Sequence, residues 1–142
     1  MKLRKPLALL LLLTVVLSLC SCGGNVSGVK IIPAASDIYT QKDISDAVSV
    51  IIREFAAGWS HCTLLSIGYI GDDYDKEVEP FDHWAKLYGA DEAIMLISGF
   101  YVDKNARDDP NNTFNEDTVY DNWNWILVRN KGGMWRHMDH GY

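Results

Sequence analysis

One apolar segment constrains the fold of this 142-residue chain more than any other feature. Residues 93–102 read AIMLISGFYV and contain no charged side chain. Such a run is typical of a β-strand buried on both faces, because a strand with one face in water alternates apolar and polar residues. The chain therefore needs a sheet that encloses this strand, and Gly99 predicts a bulge or bend within it.

A helix is expected over residues 41–57, and a strand follows it. Thr40 is placed to be the N-cap of the helix, and Asp43 completes an approximate capping box. The helix then has one apolar face with helical spacing, formed by Ile44, Ala47, Val48, Ile51 and Phe55. Over residues 62–70 the period changes to two, which predicts a strand with one shared face formed by Leu65, Ile67 and Tyr69.

The rest of the chain predicts a second helix, a long loop and a closing hairpin. The helix is expected over 80–88, and residues 103–121 are polar and irregular. Strands over 123–129 and 134–139 flank a turn whose two glycines suit a tight hairpin. The order α-β-α-β-β-β is typical of an α+β domain in which an N-terminal helix packs on a curved antiparallel sheet.

The N-terminus predicts export. Three basic residues precede an apolar run from Leu7 to Leu19. A helix of that length covers roughly 20 Å, against about 30 Å for a bilayer core. Residues 1–21 are therefore expected to be a secretory signal peptide rather than a membrane span. The end of the run, Leu19-Cys20-Ser21-Cys22, resembles the lipobox of bacterial lipoproteins. That resemblance implies that Cys22 becomes the mature N-terminus and carries a diacylglycerol thioether with acyl chains such as palmitate.

The segment after Cys22 predicts a tether and one domain. Residues 22–36 contain glycine, serine and proline and are expected to form a flexible tether; residues 37–142 suffice for a single hydrophobic core. Removing the three basic residues of the leader takes the formal net charge from −6 to −9. Such an acidic domain repels phosphate backbones, which argues against nucleic acid as a partner. Membrane attachment is expected to depend on the acyl chains alone, on the outer face of the cell membrane.

Cys62 is the one cysteine left after cleavage and lipidation. No intramolecular disulfide is then possible in the mature chain. We expect Cys62 to be a small buried hydrophobe rather than a nucleophile.

The mature chain resembles a family of small lipoproteins of Gram-positive gut bacteria (Firmicutes) with a C-terminal domain of unknown function. The shared segments are YTQKDISDAV, CTLLSIGY, WAKLYGADEAIML, NWNWILVRNKGGMW and the terminal HGY. Similar segments occur as the outer domain of some BlaR-like membrane metallopeptidases. The resemblance implies a secreted, membrane-tethered domain and brings no catalytic residues. At the level of element order, the chain is similar to the cone-shaped nuclear transport factor two-like fold or the cystatin-like fold.

The aromatic residues of the C-terminal half either build the core or line a pocket. Core packing is the first interpretation, because large aromatics dominate burial in small domains. A curved sheet over one helix also encloses a concavity where a ligand can bind. The candidate lining of that pocket is Trp84, Tyr101, Trp123, Trp125 and Trp135.

Metal sites are not expected. On a regular strand, the side chains of His137 and Asp139 lie on one face and that of His140 lies on the other, so only two metal ligands converge. A catalytic zinc site needs three protein ligands. His61 or His83 could supply the third, but nothing in the spacing requires it. Two oxygen-rich segments, residues 72–79 and 103–112, lack the glycine and glutamate of an EF-hand loop and are expected to be solvated surface.

Two classes of function stay open, binding and catalysis. Asp82, His83, His137 and Asp139 are the residues available for acid–base chemistry in a shared cleft. The chain contains no Gly-x-Ser-x-Gly, phosphate-loop or His-Glu-x-x-His motif, so neither an enzyme nor a cofactor is expected. The first hypothesis is a lipid-anchored extracytoplasmic domain that binds a small ligand or a protein partner; an accessory subunit docked on a membrane protein is the other alternative.

Overall fold

The computed structural model describes residues 23–142, so the predicted leader and Cys22 lie outside the described residues. Within residues 23–142, no helix combines the length and the apolar character that crossing a membrane requires. The elements follow in the order β1 (Lys30–Ile32), α1 (Gln41–Gly58), β2 (Cys62–Tyr69), α2 (Asp72–Glu77), α3 (Phe81–Leu87), β3 (Glu92–Val102), a short 3-10 helix (Lys104–Asp108), β4 (Thr118–Arg129) and β5 (Arg136–Gly141).

The strands form one five-stranded sheet in the order β1-β2-β3-β4-β5. β1 is parallel to β2, and the other neighbours are antiparallel. The predicted α+β class is confirmed. The predicted order α-β-α-β-β-β is wrong, because the chain enters the sheet with a strand and places two short helices, α2 and α3, where one was expected.

Part of the segment predicted as a flexible tether, residues 22–36, belongs to the fold. It contains β1, and before β1 the Asn25 N–H donates to the Cys62 carbonyl at 2.8 Å. The Gly24 N–H donates to the Phe55 carbonyl at 3.0 Å. A Cβ on Gly24 would lie 2.6 Å from the Phe55 ring, so this glycine permits close approach of the backbone.

β3 is the centre of the sheet, as its composition predicts. We call the face that α1 covers the inner face, and the opposite one the outer face. Leu96 and Phe100 are fully buried on the inner face, and Ala93 and Met95 are buried on the outer face. The register with β4 shifts between Ser98 and Phe100, which confirms the predicted irregularity at the glycine between them.

α1 is capped and buried as its sequence predicts. Thr40 and Asp43 form a reciprocal capping box, and the five predicted apolar positions are buried. A fully buried Val, Ile or Phe side chain contributes roughly 1.5–3 kcal/mol, so this one face holds α1 on the sheet. Phe55, at 0% exposure, contacts the rings of Phe100 and Trp125 on the inner face.

A register shift changes which residues of β2 face the core. The shift lies between Leu64 and Ser66, and it turns Leu64 inward beside Ile67 and Tyr69. Leu65 is 42% exposed instead, so its predicted place on the buried face is wrong. Strict alternation fails here because the bulge inserts one residue into the period of two.

The long polar segment is shorter than expected. The 3-10 helix and the first residues of β4 fall inside residues 103–121. The hairpin turn is confirmed, with the Gly133 N–H donating to the Asn130 carbonyl at 2.8 Å and Gly132 at φ 74°. β5 begins only at Arg136.

Arg129 connects the start of α1 to two strands. Its guanidinium donates to Asp43 Oδ1 at 2.6 Å, pairs with Glu92, and lies 4.2 Å above the Trp135 ring. The side chain of Arg129 is 14% exposed. Hydrogen bonds from Thr40 and then from Arg129 lower the pKa of Asp43 to about 2.

We expect Asp43→Asn to lower the free energy of unfolding at pH 7 by about 2 kcal/mol, since it weakens charge-assisted hydrogen bonds. The folded-state pKa of Asp43 lies below its ordinary value of 3.8, so this stabilisation is present above that value and is lost as pH falls toward about 2. Urea unfolding at pH 7 and at pH 2.5 should therefore show a smaller difference between the two proteins in acid. Asp46→Asn is the matched control, because its exposed i,i+4 pair with Lys42 contributes less than about 0.5 kcal/mol. Equal effects of the two variants would contradict the prediction.

Candidate functional site

A groove runs along α1 beside the β4–β5 hairpin. Its volume is about 790 Å³. Its lining contains both basic and acidic side chains, together with the turn glycines and Trp135. We define it by its lining residues, which include Lys42, Asp46, Val50, Arg53, Glu54, Met134, Arg136 and His137.

A smaller cavity lies at the C-terminal end of α1, and we call it the Trp59 cavity. Its volume is about 290 Å³. The loop after the 3-10 helix contributes polar groups and the ring of Phe114, and further aromatic groups come from Trp59 after α1 and from His140 of β5. Its lining includes Trp59, Ser60, Asp109, Asn111, Asn112, Phe114 and His140.

A pair of histidines lies between the groove and the Trp59 cavity. His137 Nε2 is 3.2 Å from His140 Nδ1, and the two rings are stacked with centroids 5.2 Å apart. On the other side of its ring, His137 Nδ1 is 2.5 Å from Glu54 Oε2. His137 Nε2 also lies 3.0 Å from the Asp139 carbonyl oxygen. The Glu54 carboxylate thus orients one imidazole, and that imidazole contacts the next.

A bulge produces this pair. The register between β4 and β5 shifts between Ile126 and Leu127, so His137 pairs with Leu127 and His140 pairs with Trp125. Both histidines therefore lie on the inner face. The predicted alternation is wrong, because His140 joins His137 there and the Asp139 side chain lies near Tyr88, with 3.3 Å between its Oδ2 and the tyrosine hydroxyl.

An aromatic cluster surrounds the histidines on the inner face. Trp59 lies at its centre, with ring centroids between 4.9 and 6.3 Å from those of Phe55, Phe100, Phe114, Trp123, Trp125 and His140. Part of His140 is exposed to solvent. Desolvation by these rings, and then the neighbouring His137, lowers the pKa of His140. His140 is thereby kept neutral further into the acidic range.

The five predicted pocket residues do not share one cavity. Trp125 is fully buried and Trp123 half-buried in the inner aromatic cluster. Trp135 lies at the other end of α1, where its indole N–H donates to the Asp43 carbonyl at 3.0 Å. Trp84 lies against the outer face beside Met95 and Ile126. Tyr101 donates to Asp117 at 2.8 Å, and its β4 pairing partner Val119 is exposed.

The four residues considered for acid–base chemistry do not form a shared cleft. Asp82 is 83% exposed on α3, where it pairs with Lys86, and His83 is exposed beside it. His137 lies on the inner face against α1, and Asp139 contacts Tyr88 near α3. The sheet therefore lies between His137 and the other three residues.

Carboxylates of the two oxygen-rich segments accept hydrogen bonds from other parts of the fold. Asp72 accepts hydrogen bonds from the Ser36 hydroxyl at 2.6 Å and from the Tyr69 hydroxyl at 2.8 Å. Asp109 accepts from the Asn111 N–H at 2.9 Å and from the Ser60 hydroxyl at 3.2 Å. Across residues 23–142, no three side chains of His, Cys, Asp or Glu converge in a metal-binding group.

Cys62 is buried, as expected. Burial raises the pKa of its thiol to about 11. The thiolate that a nucleophile needs is therefore disfavoured at neutral pH.

Sequence analysis missed Glu54 and Trp59. Glu54 is a polar residue on the solvent side of an amphipathic helix, and such residues are usually solvated. Its partner His137 is 83 positions away, and the bulge that turns His140 inward has no local signal. Trp59 follows the helix directly and is half-buried, so its central place in the cluster depends on tertiary packing.

Comparison of the chain with models of protein families, with curated proteins and with solved structures finds no match.

We expect the imidazole of His140 to titrate with a midpoint below 6.5, and two variants to move that midpoint in opposite directions. Glu54→Gln removes an anion that favours the imidazolium, so the midpoint should fall. His137→Gln removes the electrostatic interaction with His137 that lowers the pKa of His140, so the midpoint should rise. Histidine ring signals in NMR spectra recorded from pH 4 to pH 9 measure all three midpoints. Shifts of the same sign in both variants would contradict the arrangement of the three side chains.

Proposed function

We propose that the chain is a lipid-anchored extracytoplasmic domain that binds a ligand on the surface formed by the groove, the histidine pair and the Trp59 cavity. We call this continuous surface the α1–β5 strip. The resemblance to Gram-positive lipoproteins, and the nuclear transport factor two-like or cystatin-like cone, stay predictions. The lipobox supports the first, and the packing of α1 on one mostly antiparallel sheet supports the second.

The lipobox supports the lipid anchor, and the contacts of Gly24 limit the distance between the anchor and the folded domain. Cys22 is two residues before Gly24, whose N–H is bonded to the Phe55 carbonyl. Consecutive Cα atoms are about 3.8 Å apart, so lipid on Cys22 would emerge within about 8 Å of that point. The anchor would therefore hold the C-terminal end of α1, and the Trp59 cavity next to it, at the membrane surface.

The continuity of the α1–β5 strip is the observation that carries the binding proposal. Binding surfaces combine apolar walls with a few placed polar groups in a concavity. Here His137 lines the groove, His140 lines the Trp59 cavity, and the two rings are in contact. The protein partner and the accessory subunit stay alternatives, with the exposed Met134 at the groove as their most accessible apolar contact.

We expect Cys22→Ser to release the protein from membranes. Wild-type protein should partition with membranes, and its N-terminal peptide should have the mass of acylated cysteine, because two or more acyl chains at one residue anchor stably. Fractionation and mass spectrometry of the two proteins measure this. Cys20→Ser is the matched control and should leave both results unchanged. A variant at Cys22 that still partitions with membranes would overturn the anchor.

We expect a ligand of the α1–β5 strip to raise the melting temperature of the mature Cys22→Ser chain. A screen of metals, peptides and cell-wall fragments by thermal shift tests this, since a ligand at 100 times its Kd adds about 2.7 kcal/mol. Arg53→Glu reverses one charge of the groove and should reduce the shift of each hit. Lys86→Glu makes the same change on α3 and should not. Absence of any hit, or equal effects of the two variants, would contradict a small-ligand site there.

A further inference from the structure

We propose that the groove binds an extended acidic peptide segment of a partner protein, which adds a sixth strand to the sheet along the open edge of β5. The inference rests on the proposed binding function and names the class of ligand. It depends on the groove and on the edge of the sheet, and it stands without the lipid anchor.

β5 has one edge without a strand partner. It pairs with β4 alone and is the last strand of the sheet that residues 23–142 form. Alternate backbone N–H and C=O groups of an edge strand point away from the sheet and are free to pair with another chain. The Asp139 carbonyl and the His140 N–H already contact side chains of β5 itself. The open part of the edge is therefore the segment 134–137, which also lines the groove.

α1 lies beside this edge and faces the place of an added strand. Asp46, Val50 and Arg53 follow one another at helical spacing and form one wall of the groove. A peptide on a sheet edge gains affinity from main-chain hydrogen bonds and specificity from alternate side chains. Because α1 covers the inner face, every second side chain of the added strand would point toward this wall. Val50 is half-buried and offers those side chains an apolar contact.

The charges of the groove select an acidic peptide. Arg53 and Arg136 are exposed and form no ion pair within residues 23–142. The other charged side chains of the lining are paired with each other at 2.6 and 2.5 Å, namely Lys42 with Asp46 and His137 with Glu54.

The negative net charge of the chain does not prevent such a contact. The Debye length is about 8 Å at physiological ionic strength, so the charges that line the groove dominate the field that a bound peptide meets. An arginine guanidinium binds a carboxylate through two parallel hydrogen bonds, which adds specificity to the attraction. Acidic side chains on the peptide would therefore pair with the two free arginines.

Two capped heptapeptides test the proposal on the mature Cys22→Ser chain, one alternating valine with glutamate and the other alternating valine with lysine. In NMR titrations we expect the glutamate peptide to bind about 10-fold or more tightly than the lysine peptide, since a hydrogen bond to a charged group contributes at least that much. The double variant Arg53→Glu/Arg136→Glu should reverse the preference. Lys86→Glu/Lys104→Glu is the matched control, because it makes the same charge change at exposed sites outside the groove and should leave the preference unchanged.

Methylation of the peptide backbone separates strand pairing from charge attraction alone. Successive N–H groups of a strand point to opposite edges, so methylating the glutamate nitrogens removes the donors of one edge and methylating the valine nitrogens removes those of the other. One of these two peptides should lose binding and the other should keep it. When the unmodified glutamate peptide binds, hydrogen exchange should slow at backbone amides of the segment 134–137.

Four results would overturn the inference: no binding of the glutamate peptide, an unchanged preference in the double arginine variant, equal effects of the two methylated peptides, or slow exchange of this edge in a dimer without peptide. Circular dichroism establishes that each variant is folded before titration. A metal or cell-wall fragment that shifts the melting temperature in an Arg53-dependent way, while neither peptide binds, would support the proposed function and overturn this inference alone.

Discussion

The last turns of α1 contact the aromatic core, the N-terminal segment and the histidine pair. The Phe55 ring enters the inner face between Phe100 and Trp125, and its carbonyl oxygen accepts the Gly24 N–H. The preceding residue, Glu54, points the other way and meets His137. Burial of one phenylalanine therefore sets the position of the N-terminal segment and of the carboxylate behind the histidine pair. A shift of this turn would break all three contacts together, because the core is close-packed and does not deform gradually.

Bulges decide which side chains meet on the sheet. Three register shifts occur in the described strands, at Leu64/Ser66, at Ser98/Phe100 and at Ile126/Leu127. Each one moves the residues beyond it to the other face relative to strict alternation. The third shift brings His140 beside His137 and leaves Asp139 toward α3. The candidate site thus depends on a local irregularity of the backbone as much as on residue type.

The elements that could be predicted are those with strong local signals. The capping box at Thr40, the apolar face of α1 and the charge-free strand around Leu96 each specify their environment within a few residues. β1 could not be predicted, since Lys30–Ile32 is only three residues long and is stabilised by pairing with β2. The partners of Glu54 and His140 could not be predicted either, because long-range packing and a bulge create them. Strand register could not be predicted from the sequence, and the proposed binding surface depends on the register between β4 and β5.

The short connection to Cys22 changes what an anchor would do. A long flexible tether would let the domain sample many orientations and would raise only the local concentration of its ligand surface. With Gly24 bonded to the end of α1, the connection from an acylated Cys22 is one residue long, so orientation would be restricted as well. α1 has 18 residues and is therefore about 27 Å long, with the groove along it and the Trp59 cavity at its C-terminal end. The histidine pair lies between these two, so a ligand reaching it past the Trp59 cavity would meet the aromatic cluster, and one arriving along α1 would meet the charged groove.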